Sequence, residues 1–529
     1  MKFQPLILIL LFTGSAYCQL QTEWVSRYAG NTFNHFASDM AIDDEGNSYI
    51  TGALVLDSSN SDFITLKYNK SGSLIWARTY NGPQSGKDIP SAIKIDRSGN
   101  VIVTGTSRDT SSPLKTYSAT VKYGPNGDTL WVSRFLYQDS LSYFVEKLEI
   151  DGNDNIYTMG NVALSGQVDD IVLTKYLPDG TIPWQNQYDA TSIDLEIDRD
   201  NNPAIFGSAG FGGVLIKYNP SGDSIWGIIA TPQAIKMIKF DNSNNAFLVG
   251  VKSTPQTSAD YYTAKVDTLG NILWERTYHN NSTNNIDSPR DFIIDTSNNI
   301  IVTGISAKAG ELGWDYLTIK YDPFGDSLWV KRFNPVIRSN DEPVSIASDN
   351  NGNVFVSGKS DKFTLWNKIS TVVYTPGGNE LYYMDYDTNA PFLNHVPVRN
   401  FCDNDGNLYV AGSAQNPNGN WDMVIIKYSA VTNISHTQNE VPEKYELSQN
   451  YPNPFNPSTN IQFDLPKEGL VSLKIYDMLG REVAALVNEF RNAGRYIIGF
   501  NGSRLASGVY YYKLKAGNFE QTKRMVLIK

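Results

Sequence analysis

The chain has 529 residues, 41% of them hydrophobic and 12% aromatic, enough to bury cores in more than one domain. Only 19% are charged, which is low for a long helical protein, and the abundance of Tyr, Gly and Phe points to strands and turns. A net charge of −11 argues against a nucleic-acid partner or an anionic membrane surface.

Residues 1–18 read as a signal peptide. Lys2 gives the positive start, Leu6 to Phe12 an apolar run too short to span a bilayer, and Gly14, Ser15 and Ala16 the small residues of a cleavage site. Cys18 raises the rival reading of a lipid-anchored N-terminus, although Tyr17 before it is bulky for that motif. With Cys18 removed, Cys402 is the remaining cysteine, so no intramolecular disulfide forms, and its place at the end of an apolar strand suggests a buried, inert thiol. No later segment is long and apolar enough to be a transmembrane helix.

From residue 19 to 428 one unit recurs. An Asp, an Asn four residues on and a Gly nine residues on appear eight times, as Asp43/Gly52, Asp96/Gly105, Asp151/Gly160, Asp198/Gly207, Asp241/Gly250, Asp295/Gly304, Asp349/Gly358 and Asp403/Gly412. Apolar residues precede the Asp and alternate after the Asn, which is the pattern of a hairpin with a Gly/Asn/Asp turn. In step with it runs Tyr, Gly four later and an aromatic four after that, as in Tyr68/Gly72/Trp76 and Tyr321/Gly325/Trp329. Each unit therefore holds four short strands: a up to the Asp, b up to the Gly, c up to the Tyr and d around the Trp. Four strands at a period of 43 to 55 residues specify a propeller blade. The expected fold is all-β, an eight-bladed β-propeller. The last unit lacks its own d strand, and the segment around Trp24 has the d pattern. Residues 22–28 are thus expected to pair with the strand ending at Tyr428 and close the ring. Seven blades with one extra unit is the alternative.

The repeat phrases resemble those of the bacterial SBBP-type β-propeller family, which has no single assigned activity. Residues 429–447 are polar and unpatterned, a linker. Residues 448–529 contain five strand-like segments, Asn460–Leu465, Val471–Tyr476, Tyr496–Phe500, Gly508–Leu514 and Gln521–Ile528, which suggest an Ig-like β-sandwich. The opening Tyr451-Pro452-Asn453-Pro454-Phe455, with Gly480, Gly508, Tyr510 and Lys523, resembles the type A sorting domain of the type IX secretion system. The resemblance implies that residues 448–529 meet an outer-membrane translocon of Gram-negative bacteria, and that the protein is secreted or attached to the outer cell surface. An ordinary Ig-like adhesion module is the alternative.

No catalytic set and no metal site stands out: His35, His279, His395 and His436 have no metal-ligand spacing to Cys, Asp or Glu. No cofactor is expected, calcium being the one rival, in the turn Asp403-Asn404-Asp405-Gly406-Asn407, which lacks the downstream acidic ligand. Asp62, Asp170, Asp260, Asp315 and Asp422, each six residues before the end of a c strand, read as turn caps. The long, variable b–c and d–a loops share one face. Phe36, Tyr143, Trp314, Trp366, Phe392 and Trp421 lie in or beside them, as candidate contacts for a glycan or protein ligand. The expected function is a non-enzymatic binding or scaffold module. A propeller enzyme, either a quinoprotein-like dehydrogenase or a polysaccharide lyase or hydrolase, is the alternative.

Overall fold

Each repeat folds as an antiparallel meander in the order a–b–c–d, because its two turn phrases leave no room for a crossover. The computed structural model describes residues 20–528 apart from 30–32, 111–113, 139, 164–169, 210–211, 231–233, 255–256, 281–285, 308–312, 335–339, 362–366, 387–392, 431–441, 443, 492–493 and 503–504. The signal segment 1–18, most of the linker, Trp366, Phe392 and His436 therefore lie outside the described residues. The described residues divide into two compact units, before and after about residue 431.

In the first unit, blade one comprises Asn34–Ile42 (a), Ser48–Val55 (b), Ser61–Tyr68 (c) and Leu74–Tyr80 (d), and the same order repeats through blade seven. Blade eight is built from His395–Cys402, Leu408–Gln415 and Trp421–Ala430, and its fourth strand is Leu20–Tyr28. The closing register pairs Thr22 with Tyr428, Trp24 with Lys427 and Tyr28 with Met423. Strand a of each blade packs on strand a of the next, and His395–Cys402 returns to Asn34–Ile42, so eight blades complete the ring. Blades two and three also share a parallel bridge between Ser142 and Thr116.

The ring is fastened by the tryptophans. Trp24, Trp76, Trp131, Trp184, Trp226, Trp274 and Trp329 each donate Nε1–H to a backbone carbonyl in the c–d turn of the following blade, at 2.9–3.2 Å. The indole also covers that turn's glycine. A Cβ on Gly378 would lie 2.6 Å from Trp329, and one on Gly325 2.7 Å from Trp274. These glycines adopt φ near +80 to +93°, a left-handed conformation that costs glycine little. Trp24 makes the same clasp on blade one, through Lys70 O and Gly72. Blade eight has no c–d turn for blade seven to grip. There the aromatic is Tyr382, whose hydroxyl accepts the Leu20 amide at 2.8 Å.

The b strands differ from expectation. They continue past the repeat glycine: Ser48–Val55 runs three residues beyond Gly52. The reason is a β-bulge in every a strand, skipping Ser38, Ser91, Glu146, Ile193, Lys236, Arg290, Val344 and Val398. The repeat glycine pairs with the residue just before the bulge, and the bulge pushes a backbone carbonyl over it. A Cβ on Gly52, Gly105, Gly160, Gly250, Gly304, Gly358 or Gly412 would overlap that carbonyl oxygen. Gly207 is crowded instead by Ile171 Cδ1 and Thr191 O.

The second unit has two sheets. Glu446–Leu447, Ser458–Leu465 and Gly494–Asn501 form one; Glu482–Arg491, Gly469–Tyr476, Gly508–Ala516 and Phe519–Leu527 form the other. They enclose a core including Phe455, Phe463, Leu473, Tyr512 and Met525. Glu482–Arg491 is a strand that its sequence pattern did not reveal.

Candidate functional site

The a–b turns form one face. Each turn Asp accepts the amide four residues on through its carboxylate, and the repeat Asn side chain returns a bond to it, as in Asn47 N to Asp43 at 2.8 Å and Asn47 Nδ2 to Asp43 at 2.8 Å. In six blades the carboxylate oxygen that accepts the Asn side chain takes a second partner from within the blade. It is a Lys from strand c in Lys122–Asp96, Lys265–Asp241 and Lys320–Asp295 (2.8–2.9 Å) and in Lys217–Asp198, or a strand-b Tyr in Tyr49–Asp43 and Tyr157–Asp151. Burial alone would raise the Asp96, Asp241 and Asp295 carboxyls; the Lys and Asn donors outweigh it and hold them below their usual values. These carboxylates are saturated by the chain's own donors, Asp403 included: it accepts from Asp405 N, Asn407 N and Asn407 Nδ2.

The opposite face carries the b–c and d–a loops, and here the Asp column is not a set of turn caps. Three of these Asp residues stand at the entry of a c strand and meet a side chain from strand d: Arg332 for Asp315 at 3.0 Å, Gln187 for Asp170, and Arg27 for Asp422 at 3.6 Å. In blade seven the charges are exchanged, Lys368 bonding Asp385 at 2.5 Å. A third position completes six of the junctions, near the start of strand a in the next blade, eight residues before the repeat Asp. It holds His35, Asp88, Tyr143, Asp287, Asp341 and His395, all buried. Burial lowers His35 despite Asp422 nearby.

Two junctions gather carboxylates. Between blades one and two, Asp62 faces Asp88, and each has a buried Oδ1 with no hydrogen-bond partner. Burial and the Asp88 charge raise Asp62 to about 6, above the ordinary carboxylate value of about 4. A carboxyl whose folded pKa is raised favours folding when protonated, so that contribution is present below about pH 4 and is lost as pH rises through 6. Asp62→Asn is therefore expected to stabilise the protein at pH 8 by about 1 kcal/mol after solvent screening, and to be neutral at pH 4. Thermal melts of both proteins across that range check it. Between blades five and six, Asp260, His279 and Asp287 bring one ligand atom each within 4.8 Å of one another. No local spacing signalled this trio, because Asp260 and Asp287 lie on strands of two blades and His279 just past the end of a third strand.

The candidate aromatics divide. Phe36 and Trp421 meet across the ring closure with centroids 5.5 Å apart, and Phe36 is exposed. Trp314 is half-buried at the start of its c strand. Tyr143 is a correction: it is fully buried between blades two and three, its hydroxyl donating to Val172 O at 3.2 Å, because the position it holds belongs to the inter-blade junction. Next to that position, Phe36, Ile89 and Phe144 stand exposed at the same place in three successive blades. Deeper along the a strands the side chains are charged and paired, in Lys94–Glu149, Lys147–Asp194, Arg290–Glu342 and Arg399–Asp39. Burial raises Glu196 among them to about 7.

In the second unit, Phe455 is buried, its amide donating to Val526 O and its carbonyl accepting from Ile528 N. Tyr451 is exposed, and Tyr451-Pro452 and Asn453-Pro454 are cis. Gly480 makes the turn after Asp477 with φ +77°, Gly508 opens its strand, the Tyr510 hydroxyl donates to Ala506 O, and Lys523 is half-buried on the last strand. Residues 449–529 match the family of secretion system C-terminal sorting domains. The chain carries a type IX sorting domain. The protein is accordingly exported, secreted or held at the outer surface of a Gram-negative bacterium. Among the described residues no helix is long and apolar enough to cross a membrane.

The rest of the chain has distant likenesses. An uncharacterized WD repeat-containing protein of Acanthamoeba polyphaga mimivirus is 24% identical over 425 residues, 68% of this chain and 28% of that protein. The chain thus spans less than a third of that relative. Among solved structures, the Dos1 propeller is 10% identical with a TM-score of 0.48, covering 78% of this chain and 96% of that one. PorZ, described as an essential bacterial surface component of the type IX secretion system of Porphyromonas gingivalis, is 12% identical with a TM-score of 0.28, covering 93% and 81%.

Proposed function

We propose that the propeller, of the SBBP repeat type, is a non-enzymatic binding module that residues 448–529 deliver through the type IX translocon. The carrying observation is the exposed apolar arc Phe36, Ile89 and Phe144 on consecutive blades, beside Trp421, on the face where the loops vary. Exposed apolar side chains grouped at one edge of a polar surface mark an interaction site. Ile89 offers no ring to stack on a sugar, so the arc favours a protein ligand at the cell envelope over a glycan. The opposite face supports this division, since its turn carboxylates are engaged within the blades.

The test is binding of the purified full chain to outer-membrane fractions and to a glycan array. Phe36→Ser combined with Phe144→Ser serves as the face variant, and Asn126→Ser on a c–d turn as the control. Saturable envelope binding that weakens at least tenfold in the face variant alone supports the reading. Equal binding by both variants, or saturable turnover of a polysaccharide, would overturn it.

A further inference from the structure

The junction between blades five and six departs from its counterparts in a way that changes its chemistry. In blade six the c-strand Asp315 is met by Arg332, seventeen residues on. In blade three, Asp170 is met by Gln187 at the same offset. In blade five that offset falls on Thr277, and the partner comes two residues later: His279 Nδ1 lies 2.9 Å from Asp260 Oδ1. The third position is another acid, Asp287, on strand a of blade six. Asp260 is 3% exposed and Asp287 1%, whereas the His279 side chain reaches solvent, 34% exposed. Two buried carboxylates from strands of two blades converge with one partly exposed imidazole just past the end of strand d.

We infer that Asp260, His279 and Asp287 form a binding site for a divalent transition-metal ion of the zinc type, linking blade five to blade six. Two oxygen donors and one imidazole suit zinc, whose bonds of about 2.0–2.2 Å place neighbouring ligand atoms roughly 3.4 Å apart. The ligand atoms here lie within 4.8 Å of one another, so side-chain adjustments of about 1 Å complete the shell. The trio is also held from outside. Asn280 Nδ2 donates to Asp287 Oδ1 at 3.1 Å, the sort of outer contact that orients a ligating carboxylate. Three protein ligands leave a fourth position to water. The imidazole selects against calcium and magnesium, which prefer all-oxygen shells.

The test uses the full chain, free of any affinity tag and stripped of metal with a chelator, titrated with zinc chloride by calorimetry and followed by thermal melting. One zinc per chain with a raised melting temperature is expected, together with binding at least tenfold weaker in both His279→Ala and Asp260→Asn. His279→Ala also removes the bond to Asp260, so the rise in melting temperature on adding zinc, measured against each variant's own apo value, separates lost binding from lost folding. Cobalt should give a visible absorption band in the parent chain and none in His279→Ala. Absence of zinc binding, zinc binding unchanged in either variant, or calcium binding of equal affinity would overturn the site.

Discussion

Gly304→Ala is expected to destabilise the propeller by about 3 kcal/mol or more, at a strand position where Ala would ordinarily be the better residue. Gly304 sits in the middle of Ile300–Ala307 without a positive φ, so removing backbone freedom from the unfolded chain would by itself stabilise by about 0.4–1 kcal/mol. The bulge in strand a reverses the sign. An added Cβ would overlap Ser288 O and stand 2.5 Å from Pro289 Cα and 2.6 Å from Tyr261 Oη. Two of those neighbours are backbone, so no rotamer change clears them. Gly406 is the control: it has φ +79° but open space around its Cβ, and Gly406→Ala should cost only about 1 kcal/mol. Denaturant unfolding of the two variants beside the parent decides it. A neutral or stabilising Gly304→Ala would show that the bulge does not press on the b strand.

The glycine column itself was legible in the sequence, but its reason was not. Period and turn chemistry identify a hairpin between Asp and Gly, and a glycine at the end of an apolar run looks like a strand end. A bulge has no residue signature here: the skipped positions range from Ser38 to Arg290 to Val398. The tryptophan column was readable as packing between sheets, whereas its reach to a carbonyl of the next blade depends on blade spacing. Closure by the Trp24 segment could be read because the last unit lacks a d strand and the first has one to spare. The junction residues escaped for another reason. Asp260, His279 and Asp287 are separated by 19 and 8 residues and belong to two blades, so only the ring brings them together. Tyr143 shows the converse error, since an aromatic near a loop in sequence can still point between sheets.

The second large effect concerns closure. A mature chain that begins after Tyr28 should lose stable folding of the propeller, by on the order of 5 kcal/mol or more, which is a large share of what holds a typical domain together. Leu20–Tyr28 supplies the whole fourth strand of blade eight, and its loss leaves Trp421–Ala430 as an open edge. It also removes the Trp24 clasp on blade one, the Leu20 side chain from the core of blades seven and eight, and the Arg27 and Glu23 contacts to Asp422 and Lys427. Trp24→Ala isolates one part of this and should cost about 3–5 kcal/mol, whereas Trp24→Phe keeps part of the packing and loses the Lys70 O bond. Circular dichroism melts of the truncated chain and of both variants give the order directly: truncation most severe, then Ala, then Phe.

The ring is shut by its own N-terminal strand, and a cross-link tests that closure without disturbing the core. Gln21 is exposed, and its partner in the closing ladder is Ser429. Directly opposed residues of an antiparallel pair have Cβ atoms about 4.5–5.5 Å apart, close to what a disulfide spans. In the mature chain carrying Gln21→Cys and Ser429→Cys, mild oxidation should join the peptide containing residue 21 to the one containing residue 429 within a single chain, as read by mass spectrometry under non-reducing digestion. Free thiols at both positions after oxidation, or a disulfide only between chains, would contradict closure of the eighth blade by residues 20–28.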